Sequence, residues 1–181
     1  MSVLGDFLGD LMAHRNGVYQ NILKLTMLST IPEELKTELL MRAANHDKSK
    51  LENEREKNGY IGMHQELLDI DYGTPEYKQV VDRYKYCVEL HFKANSHHPE
   101  HYENGYSDMS IPDKIEMVCD WCAAIKVRDG LSKWKQNIVF NKKKFNIPDD
   151  EFEKIMNIAR FVILDDETML YYPNFIEDYK G

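Results

Sequence analysis

A helical repeat of apolar residues, restarted several times by proline, is the feature that most constrains how this chain can fold. Leu4, Leu8, Leu11, His14, Val18, Ile22 and Leu25 fall on one face of a helix predicted over residues 3–27. Gly5, Gly9 and Gly17 weaken its propensity without erasing the pattern. Ser29-Thr30-Ile31-Pro32 reads as a cap with proline near the first turn, opening a second helix. Its stripe of Leu35, Leu39 and Ala43 ends at His46, which places His46-Asp47 near an inward-facing helix end. Residues 52–59 are strongly polar and read as a loop or a frayed continuation before a short helix over 61–68. Thr74-Pro75-Glu76 opens one helix run to about Asn95, and Ser110-Ile111-Pro112-Asp113 opens another. Leu131 to Val139 reads as helical with Trp134 inward, and Pro148-Asp149-Asp150-Glu151 starts the last substantial helix. An aromatic, acidic tail follows from Tyr171. The fold class expected is all-α, a compact helical bundle. With 181 residues, one domain spanning 1–181 is expected.

Composition narrows the function. Hydrophobic residues make up 43% and charged residues 30%, which suits a globular protein rather than a disordered one. No apolar run approaches the ~18 residues of a membrane span, and the start of the chain lacks a basic end and greasy core, so a cytoplasmic protein without a membrane partner is expected. The formal net charge of −8 disfavours general nucleic-acid binding. It leaves a phosphate ester open, because bound cations can supply local positive charge. Oligomeric state stays open. The three cysteines, Cys87, Cys119 and Cys122, are an odd number, and the C-x-x-C lies within an amphipathic run, so reduced core thiols are expected rather than a redox pair.

The chemistry concentrates in a few imidazoles and carboxylates. Of seven histidines, His91, His97, His98 and His101 fall within the span 91–101, around Ala94-Asn95-Ser96-His97-His98-Pro99-Glu100-His101-Tyr102. His14 sits on the apolar face of the first helix, where a core histidine bonded to a backbone carbonyl is the competing reading. Asp120 shares a face with Met117, Ala124 and Val127 that is fit for burial, and a lone buried carboxylate is costly without a partner. His14, His46, Asp47, His91, His98 and Asp120 are therefore the candidate metal ligands, with Asn95, His97 and His101 as alternatives or supporting groups. Nitrogen and carboxylate donors without a thiolate favour one or two divalent ions of manganese, iron, magnesium, nickel, cobalt or zinc. His46, Asp47 and Asp120 with His14 form the minimum set; a second ion would use Asp47 as a bridge and recruit His91 and His98.

His46-Asp47-Lys48-Ser49-Lys50 resembles the His-Asp-x-x-Lys signature of the HD superfamily of metal-dependent phosphohydrolases. The run from His97 to Tyr106, followed by Ile111-Pro112 and Val118-Cys119-Asp120, is similar to the later part of the GYP-type HD domains; Ser107 stands where those have proline, and the spacing from His46 to Asp120 is compressed. The whole chain also resembles a small uncharacterised bacterial and phage family within that fold. The resemblance implies an HD-like metal-binding core over 10–130 with the C-terminal helices and tail of 131–181 packed on it. It also implies Lys50 as the contact to substrate phosphate, and hydrolysis of a small phosphorylated substrate, such as a nucleotide, by metal-activated water. Asp47 and Glu100 join Lys50 as expected catalytic residues, with Glu100 or a non-ligating histidine as a proton relay, a role that requires hydrogen-bond reach of the reacting group. Two other readings are a di-iron oxygenase of the same broad fold and a non-catalytic helical interaction protein with a structural metal.

Overall fold

The computed structural model describes residues 3–71, 73–128, 131–164 and 179, and among them the protein is all-α with no strand. In chain order the helices are α1 (Val3–Thr26), α2 (Glu33–Asn45), α3 (Ser49–Glu52), α4 (Glu54–Leu67), α5 (Pro75–Arg83), α6 (Lys85–Ala94), α7 (Ile111–Arg128), α8 (Trp134–Lys144) and α9 (Asp149–Leu164), with short 3₁₀ turns at Pro99–His101, Gly105–Asp108 and Leu131–Lys133. The chain divides into two compact units, Met1–Ala13 with Asp47–Asn95, and His14–His46 with Ser96–Gly181. The tail from Tyr171 falls outside the described residues except for Tyr179.

Local chemistry accounts for the helix starts. Thr74 caps α5 by accepting from the Tyr77 amide at 3.2 Å, with Pro75 in the first turn. Ser110 and Asp113 cap α7 reciprocally, the Ser110 amide donating to Asp113 Oδ2 at 3.1 Å and the Asp113 amide to Ser110 Oγ at 3.4 Å. For α2 the cap position is Pro32 itself, without a side-chain bond, and Glu33 and Glu34 favour the positive end of the helix.

The first unit, holding the start of α1 and all of α3 to α6, departs from the sequence reading in two places. Residues 54–59 are not a loop: Asn53 accepts from the amides of Arg55 and Glu56, both at 3.1 Å, and starts α4 there. The single helix expected to Asn95 is broken at Tyr84, whose φ of −99° and ψ of 13° separate α5 from α6. Helix α4 runs so close to α6 at Gly59 that a Cβ there would lie 2.5 Å from Cys87 Cβ.

In the second unit, the remainder of α1 packs with α2, α7, α8 and α9 around Ile22, Leu35, Leu39, Met117, Ile138 and Ile155, all fully buried. Trp134 is buried as expected. The apolar face of α1 is shorter than its periodicity suggests, since Leu4 is 47% exposed. Gly17 brings α1 against α7: a Cβ there would lie 3.2 Å from Ala123 Cβ. Asn21 Nδ2 donates to the Cys119 carbonyl at 2.9 Å on the same helix pair. The three cysteines are free and buried. Burial pushes the Cys122 thiol up to about 12 and Cys87 to about 11, so neither is poised as a nucleophile.

Candidate metal centre

Helix α2 ends at His46, and Asp47 follows at a φ of 55°, a left-handed conformation that aspartate tolerates better than most residues. The reversal leaves the His46 side chain wholly buried in the second unit, while Asp47 opens a segment of the first.

Three candidates meet within the second unit. His14 Nε2 from α1 lies 3.0 Å from Asp120 Oδ1 on α7, His46 Nε2 lies 3.8 Å from the same oxygen, and the two Nε2 atoms are 3.4 Å apart. Ligands about 2.1 Å from a shared ion sit about 3.0 Å apart at right angles and about 3.4 Å apart at tetrahedral angles. The spacing of the three donors therefore suits a single ion, and His14, His46 and Asp120 form a group that could hold one.

Behind His46 stands a residue that sequence reasoning passed over. Glu116 Oε1 accepts from His46 Nδ1 at 2.9 Å and lies 3.3 Å from His97 Nδ1, while its Oε2 accepts from Arg42 Nε at 2.9 Å. Burial works to raise the Glu116 carboxyl, but hydrogen bonds and charge from His46 and His97 outweigh it and hold it well below the usual carboxylate range. Asp120 is depressed in the same way, burial being overcome by His14 and then His46 and His97. Glu116 was legible in principle: it lies four residues before Asp120 and three after Asp113, one acidic stripe along α7.

Arg42 extends this network. Its Nη2 donates to Ser96 Oγ at 2.9 Å and pairs with Asp113, which also accepts from Ser96 Oγ at 2.6 Å, Tyr102 Oη at 2.7 Å and Ser110. Despite the opposing effect of burial on both, Arg42 is raised by Glu116 and Asp113, and Asp113 is lowered by Ser110, Ser96, Tyr102 and Arg42. The network anchors the segment carrying His97 and His98. His97 is buried with its ring 4.4 Å from that of His46, centroid to centroid, and half-buried His98 lies 4.1 Å beyond His97.

The first unit holds a second polar cluster, around His91. His91 Nε2 lies 3.2 Å from Asp47 Oδ1, and His91 Nδ1 lies 2.9 Å from Glu56 Oε1 and 3.0 Å from Asn95 Nδ2. Lys50 Nζ donates to Asp47 Oδ2 at 2.6 Å and stands 4.8 Å above the centre of the Tyr60 ring. Asn95 Nδ2 also donates to Ser49 Oγ and to the His91 carbonyl, both at 2.8 Å. Glu56, fully buried, was hidden by the polar run around it. Glu100, the expected proton relay, pairs with Lys144 Nζ at 2.9 Å, and His101, an alternative ligand, is exposed with its ring edge-on to Tyr102; among the described residues neither is in a group that could hold an ion.

The model of a family of unknown function, DUF5662, matches residues 5–161. The chain belongs to this family. No curated protein and no solved structure matches the chain. His14, His46, Glu116 and Asp120 all lie within the span matched to DUF5662.

Proposed function

We propose that this DUF5662 protein is a metal-dependent phosphohydrolase acting on a nucleotide or another small phosphate ester. The observation that carries the reading is the convergence of His14 Nε2, His46 Nε2 and Asp120 Oδ1 at the spacing of one ion's ligands. A divalent ion held there would lower the pKa of a bound water and neutralise charge on phosphoryl oxygens.

The residues of the chain support that chemistry in three ways. Two neutral imidazoles and one carboxylate leave a bound divalent ion with net positive charge, which suits an anionic substrate on a protein of net charge −8. Glu116 faces His46 Nδ1 at 2.9 Å, which leaves Nε2 as the ring nitrogen on the side of His14 and Asp120. Lys50, assigned to substrate phosphate by the HD resemblance, is oriented within its own unit by Asp47 Oδ2.

The test is purification without oxygen, metal quantification, and a panel of nucleotides and phosphoesters with His46→Ala and Asp120→Ala as controls. Divalent-dependent hydrolysis of at least one phosphoester is expected, falling roughly 100-fold or more in both variants, since such an ion supplies several kcal/mol of stabilisation. Activity surviving both substitutions, oxygen-dependent turnover on paired iron, or a retained metal with no hydrolysis across the panel would each overturn the reading.

A further inference from the structure

Among the described residues Glu116 makes three polar contacts, and all three come from nitrogen. Its Oε1 faces His46 Nδ1 at 2.9 Å and His97 Nδ1 at 3.3 Å, and its Oε2 faces Arg42 Nε at 2.9 Å. A guanidinium has only donors, and an ionised carboxylate has only acceptors, with room for about four hydrogen bonds. The two imidazoles that share Oε1 must therefore both present N–H through Nδ1. A neutral imidazole with its proton on Nδ1 carries its lone pair on Nε2.

We propose that Glu116, anchored by Arg42, is the positioning residue that fixes His46 and His97 in the tautomer protonated at Nδ1, with Nε2 as the nitrogen that can bind a metal. This rests on the metal reading of the centre but not on phosphoester hydrolysis. It assigns the buried trio of His46, His97 and Glu116 to ligand orientation rather than to an ion of its own. An ion among those three atoms would need lone pairs on both Nδ1 nitrogens, which would turn the His46 Nε2 into a donor facing His14.

Arg42 makes the choice strict. Glu116→Gln preserves shape but has one acceptor oxygen where the carboxylate has two. Arg42 cannot give up its protons, so the amide oxygen turns toward Arg42 and the NH₂ group faces the imidazoles. Both Nδ1 nitrogens then accept, and the ring protons move to Nε2, where they block the metal. A residue that merely filled space would leave the tautomers untouched.

The experiment is two-bond ¹H–¹⁵N correlation of the histidine rings in metal-free protein at mildly alkaline pH, with His46→Asn and His97→Asn for assignment. It is paired with Zn²⁺ affinity measured by competition against a chelator. Wild type is expected to show the Nδ1–H form at both rings. Glu116→Gln is expected to show the Nε2–H form and to bind Zn²⁺ about 10- to 100-fold more weakly, with unchanged far-UV circular dichroism. Nε2–H rings in wild type, or wild-type Zn²⁺ affinity in Glu116→Gln, would overturn the proposal. If Glu116→Gln fails to fold, the wild-type spectrum decides alone. Neither readout contains a phosphoester, so a protein that hydrolyses none leaves the result standing.

Discussion

Each unit sets a buried histidine between a glutamate and an aspartate, yet the two arrangements are built to different ends. In the second unit, His46 has Glu116 at Nδ1 and Asp120 beyond Nε2, and His14 adds a second imidazole nitrogen at 3.4 Å. In the first, His91 has Glu56 at Nδ1 and Asp47 at Nε2, but Asn95 Nδ2 crowds the same Nδ1 at 3.0 Å and Lys50 takes the other Asp47 oxygen. Glu116 is anchored by a guanidinium; Glu56 accepts from the Ser49 hydroxyl at 2.9 Å. The partners of Glu116 thus fix the tautomer of its histidines, whereas those of His91 include both an acceptor and a donor at one nitrogen. A carboxylate, which cannot donate, leaves the imidazole nitrogen facing it one role, and a donor beside the same nitrogen restores the second.

Removing the two anchors gives the largest separation between the units. Arg42→Met leaves Glu116 and Asp113 buried without their cation and is expected to cost about 3–5 kcal/mol, as broken buried pairs do. Ser49→Ala removes the hydroxyl that donates to Glu56 and accepts from Asn95 and should cost about 1–3 kcal/mol. Urea unfolding followed by circular dichroism measures both, and fluorescence of Trp121 and Trp134 reports on the second unit, where both lie. Equal costs would mean that the guanidinium anchor differs little from the hydroxyl.

Acid should act on the same carboxylates more gently, since protonation removes the charge together with its burial cost. Asp113 and Glu116 both have folded-state pKa values held below their usual range. Their contribution is fully present above the unfolded-state values of about 3.9 and 4.3 and is lost as pH falls through the lower folded-state values. Asp113→Asn should therefore be less stable than wild type near neutrality, and the gap should narrow below about pH 4. A gap that stayed constant down to strongly acid pH would show that ionisation of Asp113 contributes nothing.

What the sequence revealed, and what it hid, follows from how local each determinant is. The all-α class was legible because periodicity and the prolines at 32, 75, 112 and 148 act within a turn of their own position. Asp120 could be singled out because a carboxylate on an apolar stripe is an anomaly visible in a single helix. Glu56 could not, because its burial is decided by His91, 35 residues away, and its own neighbours are Arg55 and Lys57. The break at Tyr84 was equally hidden, since no glycine or proline marks it and Tyr84 Oη reaches back to Glu66 Oε1 at 2.7 Å. The choice between His97 and His98 turns on the conformation of Ser96–Pro99, which is set by contacts to Arg42 and Asp113 on other helices.

Two glycines at close helix approaches separate packing from ligand placement, and the second of them carries the smallest expected effect on stability. At Gly59 an added Cβ would lie 2.5 Å from Cys87 Cβ and 2.9 Å from its sulfur, atoms tied closely to the α6 backbone, so Gly59→Ala should cost about 1–3 kcal/mol despite better helix propensity. At Gly17 the contact with Ala123 Cβ is 3.2 Å, which a shift of a few tenths of an ångström relieves. The helix-propensity gain of about 1 kcal/mol should nearly offset that strain. Yet Gly17 lies three residues after His14 and Ala123 three after Asp120, so the shift widens the same α1–α7 approach that sets His14 Nε2 3.0 Å from Asp120 Oδ1. Gly17→Ala is expected to unfold within about 1 kcal/mol of wild type while binding Zn²⁺ several-fold more weakly. Unfolding curves and Zn²⁺ titrations on the same samples check both halves. Unchanged affinity would show that the side chains of His14 and Asp120, rather than the spacing of their helices, set the geometry of the centre.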